Sequence, residues 1–545
     1  MPRLQTNTLY YGDNLPILRD YIPDESIDLI YLDPPFNSNR SYNVLFKETG
    51  GASPAQTGAF EDTWEWGPAS ISAYEEIAIH GTDDTAKLLM AMVDALGHNP
   101  VTAYLSMMAV RLIQLRRVLK PTGTIWLHCD ATAGHYLKVL MDSIFGPKNF
   151  INEVIWKRQT AHSDSGQGAK HMGRLHDLIL VFSRSGDYTW NEVYQPYDES
   201  YVDSFYAAVE PETGRRYQLG DITAPGGADP AKRNPHYEFL GVTRYWRFNK
   251  KRMEELHKQG RIIQTKPGTV PRQKRYLDEM PGVPLQTVWN DILPIQAQAK
   301  ERLGYPTQKP LALLERIIQV GSNPGDLVMD PFCGCGTAIH AAQKLERNWI
   351  GIDVTHLAIG LIRQRLGDAF PALKGKIRVV GEPEDLPGAT LLAKENPHEF
   401  QWWAINRLGA SPAGGERKKG MDRGIDGIIP FVDGSTERRR VIISVKSGKV
   451  SPAFVRELKG TVEREKEPIG VLVTLTPPTR EMKTEAVSAG TWRSEFWKKS
   501  YPRIQIVTAA DLLNGKQVEM PPQVSPFARA PKERDREGEQ GGLAL

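Results

Sequence analysis

Asp33-Pro34-Pro35-Phe36, directly after the apolar run Ile27 to Leu32, gathers a carboxylate, two stiff residues and an aromatic ring in one turn. An exocyclic amine on a nucleobase is a poor nucleophile, because its lone pair is delocalised into the ring. A carboxylate and a backbone carbonyl that each accept one amino hydrogen draw the nitrogen toward tetrahedral geometry and aim its lone pair at an electrophile. Asp33 and the carbonyl of Pro34 are placed to do this. Pro34 and Pro35 stiffen the loop, and Phe36 offers a face on which a flipped base can stack.

A second stretch, Asp330-Pro331-Phe332-Cys333-Gly334-Cys335-Gly336-Thr337, lies between a strand pattern and a helix pattern. Gly334 and Gly336 let backbone pass close to a ligand, and Thr337 suits the cap of the helix that follows. Asp353 ends the next strand, where doubly wound nucleotide-binding folds carry a ribose-binding carboxylate. A nicotinamide fingerprint would continue to a glycine at position 339, where Ile339 stands. Cys333 and Cys335 have no second Cys or His pair at metal-ligand spacing. His340 reads as a helix-surface residue.

These residues need a sheet to position them. Leu9-Tyr10-Tyr11 leads into a Gly12-Asp13 turn, and Ser26 to Leu32 is a buried strand. Tyr104 to Leu119 has helical spacing ended by Pro121-Thr122-Gly123, and Thr124 to His128 is another strand. The alternation predicts an α/β fold, a parallel sheet with crossover helices. Residues 165–300 break the rhythm with Gly, Pro, Tyr, Trp, Arg and Lys, then strand and helix alternate again through Asp353. The implied domains are 1–164, an insert at 165–300, 301–381, a linker at 382–398, a second αβ unit at 399–513 and a disordered tail at 521–545.

The chain has 545 residues, 40% hydrophobic and 24% charged, and a net charge of +3. That length suits roughly three or four domains. The charge is too small to diagnose a nucleic-acid partner, but its distribution is informative. Gly214-Arg215-Arg216-Tyr217, Thr243-Arg244-Tyr245-Trp246-Arg247 and Arg272-Gln273-Lys274-Arg275-Tyr276 mix cations with rings, as phosphate contact and base stacking require; solvated loops would look the same. Cys129, Cys333 and Cys335 are the three cysteines, so no disulfide framework is implied. No apolar run is long enough to cross a bilayer, and the first residues lack a signal-peptide pattern, so the expectation is a cytoplasmic, reduced protein with no membrane partner.

The motifs in this order resemble the DNA N4/N6 amino-methyltransferases in their permuted, β-group arrangement. The catalytic tetrapeptide comes first, then the target-recognition region, then the cofactor loop. The resemblance spans roughly residues 7–370. Asn152 to Lys157 and His176 to Phe182 look like the family's later strands, and Tyr305-Pro306-Thr307-Gln308-Lys309-Pro310 resembles the segment that closes over the cofactor. It implies a Rossmann-like class I methyltransferase with an inserted recognition region, acting on double-stranded DNA with S-adenosylmethionine. It implies catalytic roles for Asp33, Pro34, Pro35 and Phe36. It implies cofactor contacts from Asp13, Lys309, Asp330, Phe332, Gly334, Gly336, Thr337 and Asp353. A homodimer is compatible with it. Asp rather than Ser at the head of the tetrapeptide favours adenine N6 over cytosine N4, and Phe36 stands where Tyr is more usual. Carbon-5 cytosine chemistry needs a Pro-Cys nucleophile, and none occurs.

Residues 399–480 resemble the Mrr-like branch of the PD-(D/E)xK nucleases. Gly424-Ile425-Asp426-Gly427 precedes Ile442-Ile443-Ser444-Val445-Lys446. The resemblance implies Asp426 as a Mg²⁺ ligand and Lys446 near the attacked phosphate. Ser444 stands two before the Lys, where an acidic residue or Gln is usual. Glu399, Glu457 or Glu463 is then the candidate third ligand. The alternatives are a chain that both modifies and cuts DNA, a methyltransferase whose C-terminal domain only binds it, and a nucleic-acid-binding protein that has lost catalysis, against which the intact Asp33 to Phe36 and Gly334 to Thr337 motifs argue.

Overall fold

The computed structural model describes residues 4–35, 66–159, 170, 172–227, 229, 231–296, 298–303, 305, 307–412, 424–434, 438–522 and 532–533, with 40–48 and 51–62 as backbone. Its described residues divide into two compact units: residues 192–286, and the remainder.

The larger unit is built on a nine-stranded sheet. From edge to edge its strands are Val288–Trp289, Phe150–Lys157, His176–Ser183, Leu119–Cys129, Ile27–Leu32, Leu327–Asp330, Asn348–Asp353, Thr8–Tyr11 and Arg378–Val380. His176–Ser183 alone runs antiparallel to its neighbours; the other pairings are parallel. The central strands are apolar on both faces, as a sheet covered on both sides requires: Leu29, Ile30, Leu32, Val328 and Met329 are fully buried.

The strand before Asp33 lies beside the strand that ends in Asp330, with Leu29 opposite Val328 and Ile30 opposite Met329. Distant parts of the chain therefore deliver their loops to the same end of adjacent strands. From here the chain runs outward in opposite directions, toward Leu119–Cys129 on one side and Asn348–Asp353 on the other. Such a divergence leaves a crevice at the carboxyl ends of the strands.

Several local expectations are corrected. The helix spans Pro100–Val118, and Pro121-Thr122-Gly123 does not end it but sits inside the next strand, Leu119–Cys129. The register shifts there, and a side chain at Gly123 would meet the Leu119 side chain at 2.6 Å and the Asp28 carbonyl at 2.9 Å. Residues 382–398 are not an extended linker: Asp385 caps the helix Leu386–Glu395, and Ala389 and Ala393 are buried in the C-terminal core. Most of 521–545 lies outside the described residues.

The C-terminal part carries a five-stranded mixed sheet in the order Ser411–Pro412, Gly427–Val432, Arg438–Lys446, Ile469–Thr474, Ile504–Thr508. Alternate residues of its strands feed opposite cores. Val441 and Ile443 pack with Phe400 and Trp403, while Ile442 packs with Leu458, Val462 and Met482.

The smaller unit has a four-stranded antiparallel sheet, a hairpin of His236–Phe239 with Val242–Tyr245, and a core of Ile222, Phe239, Trp246, Met253, Leu256 and Ile262. It is narrower than 165–300, because His176–Ser183 pairs into the large sheet. Several residues of its basic–aromatic clusters serve its own architecture. Arg215 pairs with Asp278 and Glu279, Lys274 with Glu210, Arg216 with Asp203, and Trp246 is fully buried. Arg244, Arg247 and Arg272 are exposed.

Candidate functional site

A cavity of about 380 Å³ opens at the crevice. Its walls come from the Gly12-Asp13-Asn14 turn, from Tyr31 and Asp33-Pro34-Pro35, from Tyr305, Thr307 and Lys309, from the Asp330 to Thr337 loop, and from Asp353-Val354-Thr355. The size falls within the usual range for small-molecule sites. Phe36 lies outside the described residues. Asp13, Asp33, Pro34, Pro35, Lys309, Asp330, Phe332, Gly334, Thr337 and Asp353 converge on this one space; Gly336 does not line it.

Asp33 is ion-paired with Lys309 through Oδ2. Asp13 caps the helix Asn14–Tyr21 by accepting from the Leu15 N–H at 3.0 Å, and the same oxygen receives an Arg111 N–H at 2.8 Å. Arg111 also donates to the Asn14 side chain at 2.7 Å, and so fixes the whole turn. Asp353 accepts the Gly334 N–H at 2.8 Å and both the N–H and hydroxyl of Thr355 at 2.8 Å. Burial outweighs these donors and pushes its carboxyl up to about 6.

Asp330 differs from Asp33 although the two strands are neighbours. It is almost entirely buried, and one oxygen accepts the Phe332 N–H at 3.0 Å. Burial first, then the nearby Asp33 and Asp353, raise its carboxyl far above the ordinary range.

Gly336 and Thr337 correct the sequence reading. Gly336 has φ +73° and itself occupies the cap of the helix Thr337–Lys344. A side chain there would meet Ile362 at 2.7 Å, so the glycine serves the packing of the loop rather than the cavity. The Thr337 hydroxyl accepts from buried Arg365 at 2.9 Å. His340 is buried rather than on a helix surface, between Arg365 at 3.1 Å and Glu533 at 3.0 Å. Among the described residues no group of three His, Cys, Asp or Glu is arranged to hold a metal.

Sequence reasoning missed a buried polar chain beneath the cavity. The Tyr31 hydroxyl meets His128 Nδ1 at 3.0 Å, His128 Nε2 meets Asp177 at 3.2 Å, and Arg158 pairs with Asp177 at 3.1 Å. Burial would raise the Asp177 carboxyl, but His128, Lys309 and Arg158 outweigh it and hold it low. With Asp177 held low, the His128 Nε2 that faces it is the donor of that contact. Tyr31, His128 and Asp177 sit in apolar strands, and a polar residue inside an apolar run was the available signal.

At the C-terminal sheet Asp426 precedes Gly427–Val432, and its N–H donates to the Ile443 carbonyl at 2.8 Å. Its carboxylate accepts from Gln401 at 2.7 Å and from the Val445 N–H at 2.6 Å. Lys446 lies 5.1 Å from the Phe454 ring centre. Among the described residues no group of three His, Cys, Asp or Glu at this edge is arranged to hold a metal. Glu399 turns to Tyr11, and Glu457 and Glu463 are exposed.

One antiparallel strand in an otherwise parallel sheet, with a cavity at the divergence of its connections, defines the class I methyltransferase fold, and the C-terminal part adds an endonuclease-like αβ domain. Residues 27–363 match the DNA methylase family N6_N4_Mtase, and the chain belongs to that family. Residues 398–514 match a family described as NACHT-associated inactive restriction endonuclease 1; the match does not carry the Mrr name. The chain is 29% identical over 364 residues to the type II methyltransferase M.EcaI of Enterobacter cloacae, covering 66% of this chain and 69% of that one. It is 26% identical over 357 residues to the Mod subunit of the type III restriction-modification enzyme StyLTI of Salmonella typhimurium, covering 62% of this chain and 50% of the relative. To the DNA adenine methyltransferase YhdJ of Escherichia coli it is 24% identical over 372 residues, 68% and 86% of the two chains. Among solved structures it is similar to the cytosine-N4-specific PvuII DNA methyltransferase, at 14% identity and TM-score 0.31, covering 66% and 85% of the two chains. It is also similar to M1.HpyAVI in complex with SAM, at 16% identity and TM-score 0.28, covering 66% and 99%.

Proposed function

We propose that this chain methylates the exocyclic N6 of an adenine flipped out of double-stranded DNA. The observation that carries the reading is the convergence of Asp33-Pro34-Pro35 and the Asp330 to Thr337 loop on one cavity. S-adenosylmethionine supplies an electrophilic methyl on a cationic sulfonium. The cavity fits such a ligand: Asp13 and Asp353 line it, and Phe332 gives it an aromatic wall. Asp353 accepts from the ribose hydroxyls, and the Gly12-Asp13 turn, held by Arg111, receives the adenine end.

Asp33 and the Pro34 carbonyl accept the two amino hydrogens of the target base. Lys309 orients Asp33 through the ion pair and stabilises its charge. As the nitrogen gains positive charge, Asp33 is the group that takes its proton. Removing such a positioned acceptor costs about 10²-fold or more, by analogy with other single-group deletions. The buried Tyr31–His128–Asp177 chain fixes the floor on which Asp33 stands.

The unit of residues 192–286 is proposed to read the DNA sequence, through exposed cations such as Arg244, Arg247 and Arg272. The C-terminal domain is proposed not to cleave. Ser444 stands where an acidic residue or Gln is usual, and the matched family is described as inactive. Mg²⁺ therefore has no place in this reading. The test is to incubate the protein with S-adenosylmethionine and DNA, then digest to nucleosides. N6-methyladenine supports the proposal; N4-methylcytosine replaces the base assignment; no methylated nucleoside overturns it.

A further inference from the structure

The helix Pro397–Arg407 belongs to the C-terminal domain, yet its faces serve two masters. Phe400, Trp403, Ala404 and Ile405 are buried in the C-terminal core. Gln401 reaches Asp426 at 2.7 Å. A third face, Glu399, Trp402 and Asn406, at the i, i+3 and i+7 spacing of one helix side, turns to the methyltransferase sheet.

That face meets the two loops that hold the cofactor in the proposed reading. The Glu399 carboxylate accepts the Tyr11 hydroxyl hydrogen. Tyr11 ends its strand and is followed at once by the Gly12-Asp13 turn of the cavity. Glu399 also lies 3.7 Å from Nε2 of His356, which directly follows Asp353-Val354-Thr355. The Tyr11 and His356 rings stack with centroids 3.7 Å apart. Glu382 approaches the other His356 nitrogen at 3.6 Å and is itself 3.7 Å from Arg407. The Asn406 amide donates to the His356 carbonyl. Trp402 packs against a cluster that contains Tyr305 and Cys335, both of which line the cavity. The cluster is closed over, with His356 buried and Glu382 nearly so.

The two loops are already tied at their base, since Tyr11 lies opposite Asp353 in adjacent parallel strands and the Gly12 N–H donates to the Asp353 carbonyl at 3.0 Å. Beyond that tie the Tyr11 and His356 rings stack, and a carboxylate beside both rings limits how far they can reorient. We infer that Glu399 is a positioning residue for methyl transfer: from the C-terminal domain it fixes the stacked Tyr11–His356 pair and so steadies the conformation of the Gly12-Asp13 and Asp353–Thr355 loops that flank the cofactor cavity. The inference rests on the reading of the cavity as the S-adenosylmethionine site. It gives the endonuclease-like domain a task that needs no cleavage, as a built-in brace of the cofactor pocket.

The full-length protein tests it by calorimetric titration with S-adenosylmethionine alongside steady-state methylation. Glu399→Ala is expected to weaken cofactor affinity on the order of tenfold, the size of one charge-assisted hydrogen bond lost. It is expected to leave kcat at saturating cofactor and KM for DNA near wild type. Glu399→Gln keeps an acceptor for Tyr11 and is expected to recover most of the affinity. Tyr11→Phe keeps the ring but removes the bond from the other side, and so reproduces Glu399→Ala even if that variant folds poorly. Glu395→Gln, an exposed carboxylate on the preceding helix, serves as the control without effect. Unchanged cofactor affinity in folded Glu399→Ala and Tyr11→Phe overturns the inference. So does a parallel fall of kcat, affinity and Tm without rescue by Gln, which marks a merely structural contact. Wild-type protein that binds no S-adenosylmethionine would instead overturn the cofactor reading beneath it.

Discussion

The chain holds two αβ sites that each place an aspartate beside a strand end, and they are in opposite states. Asp33 faces a cavity of about 380 Å³ and is held by a lysine. Asp426 faces protein, with one oxygen on Gln401 and the other on the Val445 N–H. An ion pair at a cavity wall leaves the carboxylate able to exchange partners with a ligand. Hydrogen bonds to a buried-strand amide and a helix side chain make the carboxylate part of the scaffold. The same residue type is thus open to a ligand in one domain and tied into the scaffold in the other.

The largest effect that separates the two is expected from Asp33→Ala. Methyl transfer should fall by about 10²-fold or more while cofactor affinity stays near wild type, as tritium incorporation and calorimetry would report. Near-normal turnover would break the comparison at its first term. Gly336→Val sharpens the boundary between site and scaffold. A branched residue at φ +73°, 2.7 Å from Ile362, should cost roughly 2–4 kcal/mol of stability, seen as a lower Tm before any specific loss of cofactor binding.

Asp426→Ala is expected to act on stability alone. It leaves the Val445 N–H and Gln401 without their acceptor, at about 1–3 kcal/mol by denaturant titration. Methylation should persist, and plasmid incubated with Mg²⁺ should stay uncut with either protein. Wild-type nicking lost in Asp426→Ala would restore the nuclease reading.

The pH dependence of cofactor affinity is a smaller effect. Burial raises the Asp353 carboxyl to about 6, so the acceptor form is the majority above that pH and is lost below it. Affinity should be flat near neutrality and fall as pH drops through about 6. A rise on acidification would contradict the role of Asp353. The smallest change is expected from Asp330→Asn. Burial favours its neutral form, which the amide mimics, so turnover should stay near wild type. Asp33→Asn, changing charge rather than shape, should not be tolerated in the same way.

Much of the cavity was legible because its residues lie in strand-to-loop motifs, where type and order carry information without knowledge of contacts. Asp33, Gly334 and Asp353 are of this kind. Arg111 and Asn14 were not legible, because the pair forms only when the helix Pro100–Val118 packs beside the first turn. Tyr31, His128 and Asp177 were hidden in apolar strands that come together only across the sheet. Thr337 misled for a local reason: a Thr before a helix suggests a cap, but the left-handed turn at Gly336 takes that place. The basic clusters misled because sequence shows charge but not its partner, and Arg215 and Lys274 are spent on Glu279 and Glu210. Glu399 was read as a metal ligand, since nothing in a single helix says which of its faces meets a different domain.

The central claim is that Asp33, at the mouth of this cavity, drives methylation of an exocyclic amine in DNA. Wild type and Asp33→Ala, each given labelled S-adenosylmethionine and unmethylated duplex DNA, should be compared by nucleoside analysis after digestion. The account predicts labelled N6-methyladenine from the wild type and at least about a hundredfold less from the variant at equal cofactor occupancy. Equal labelling from both proteins, or labelled base from neither, would contradict it.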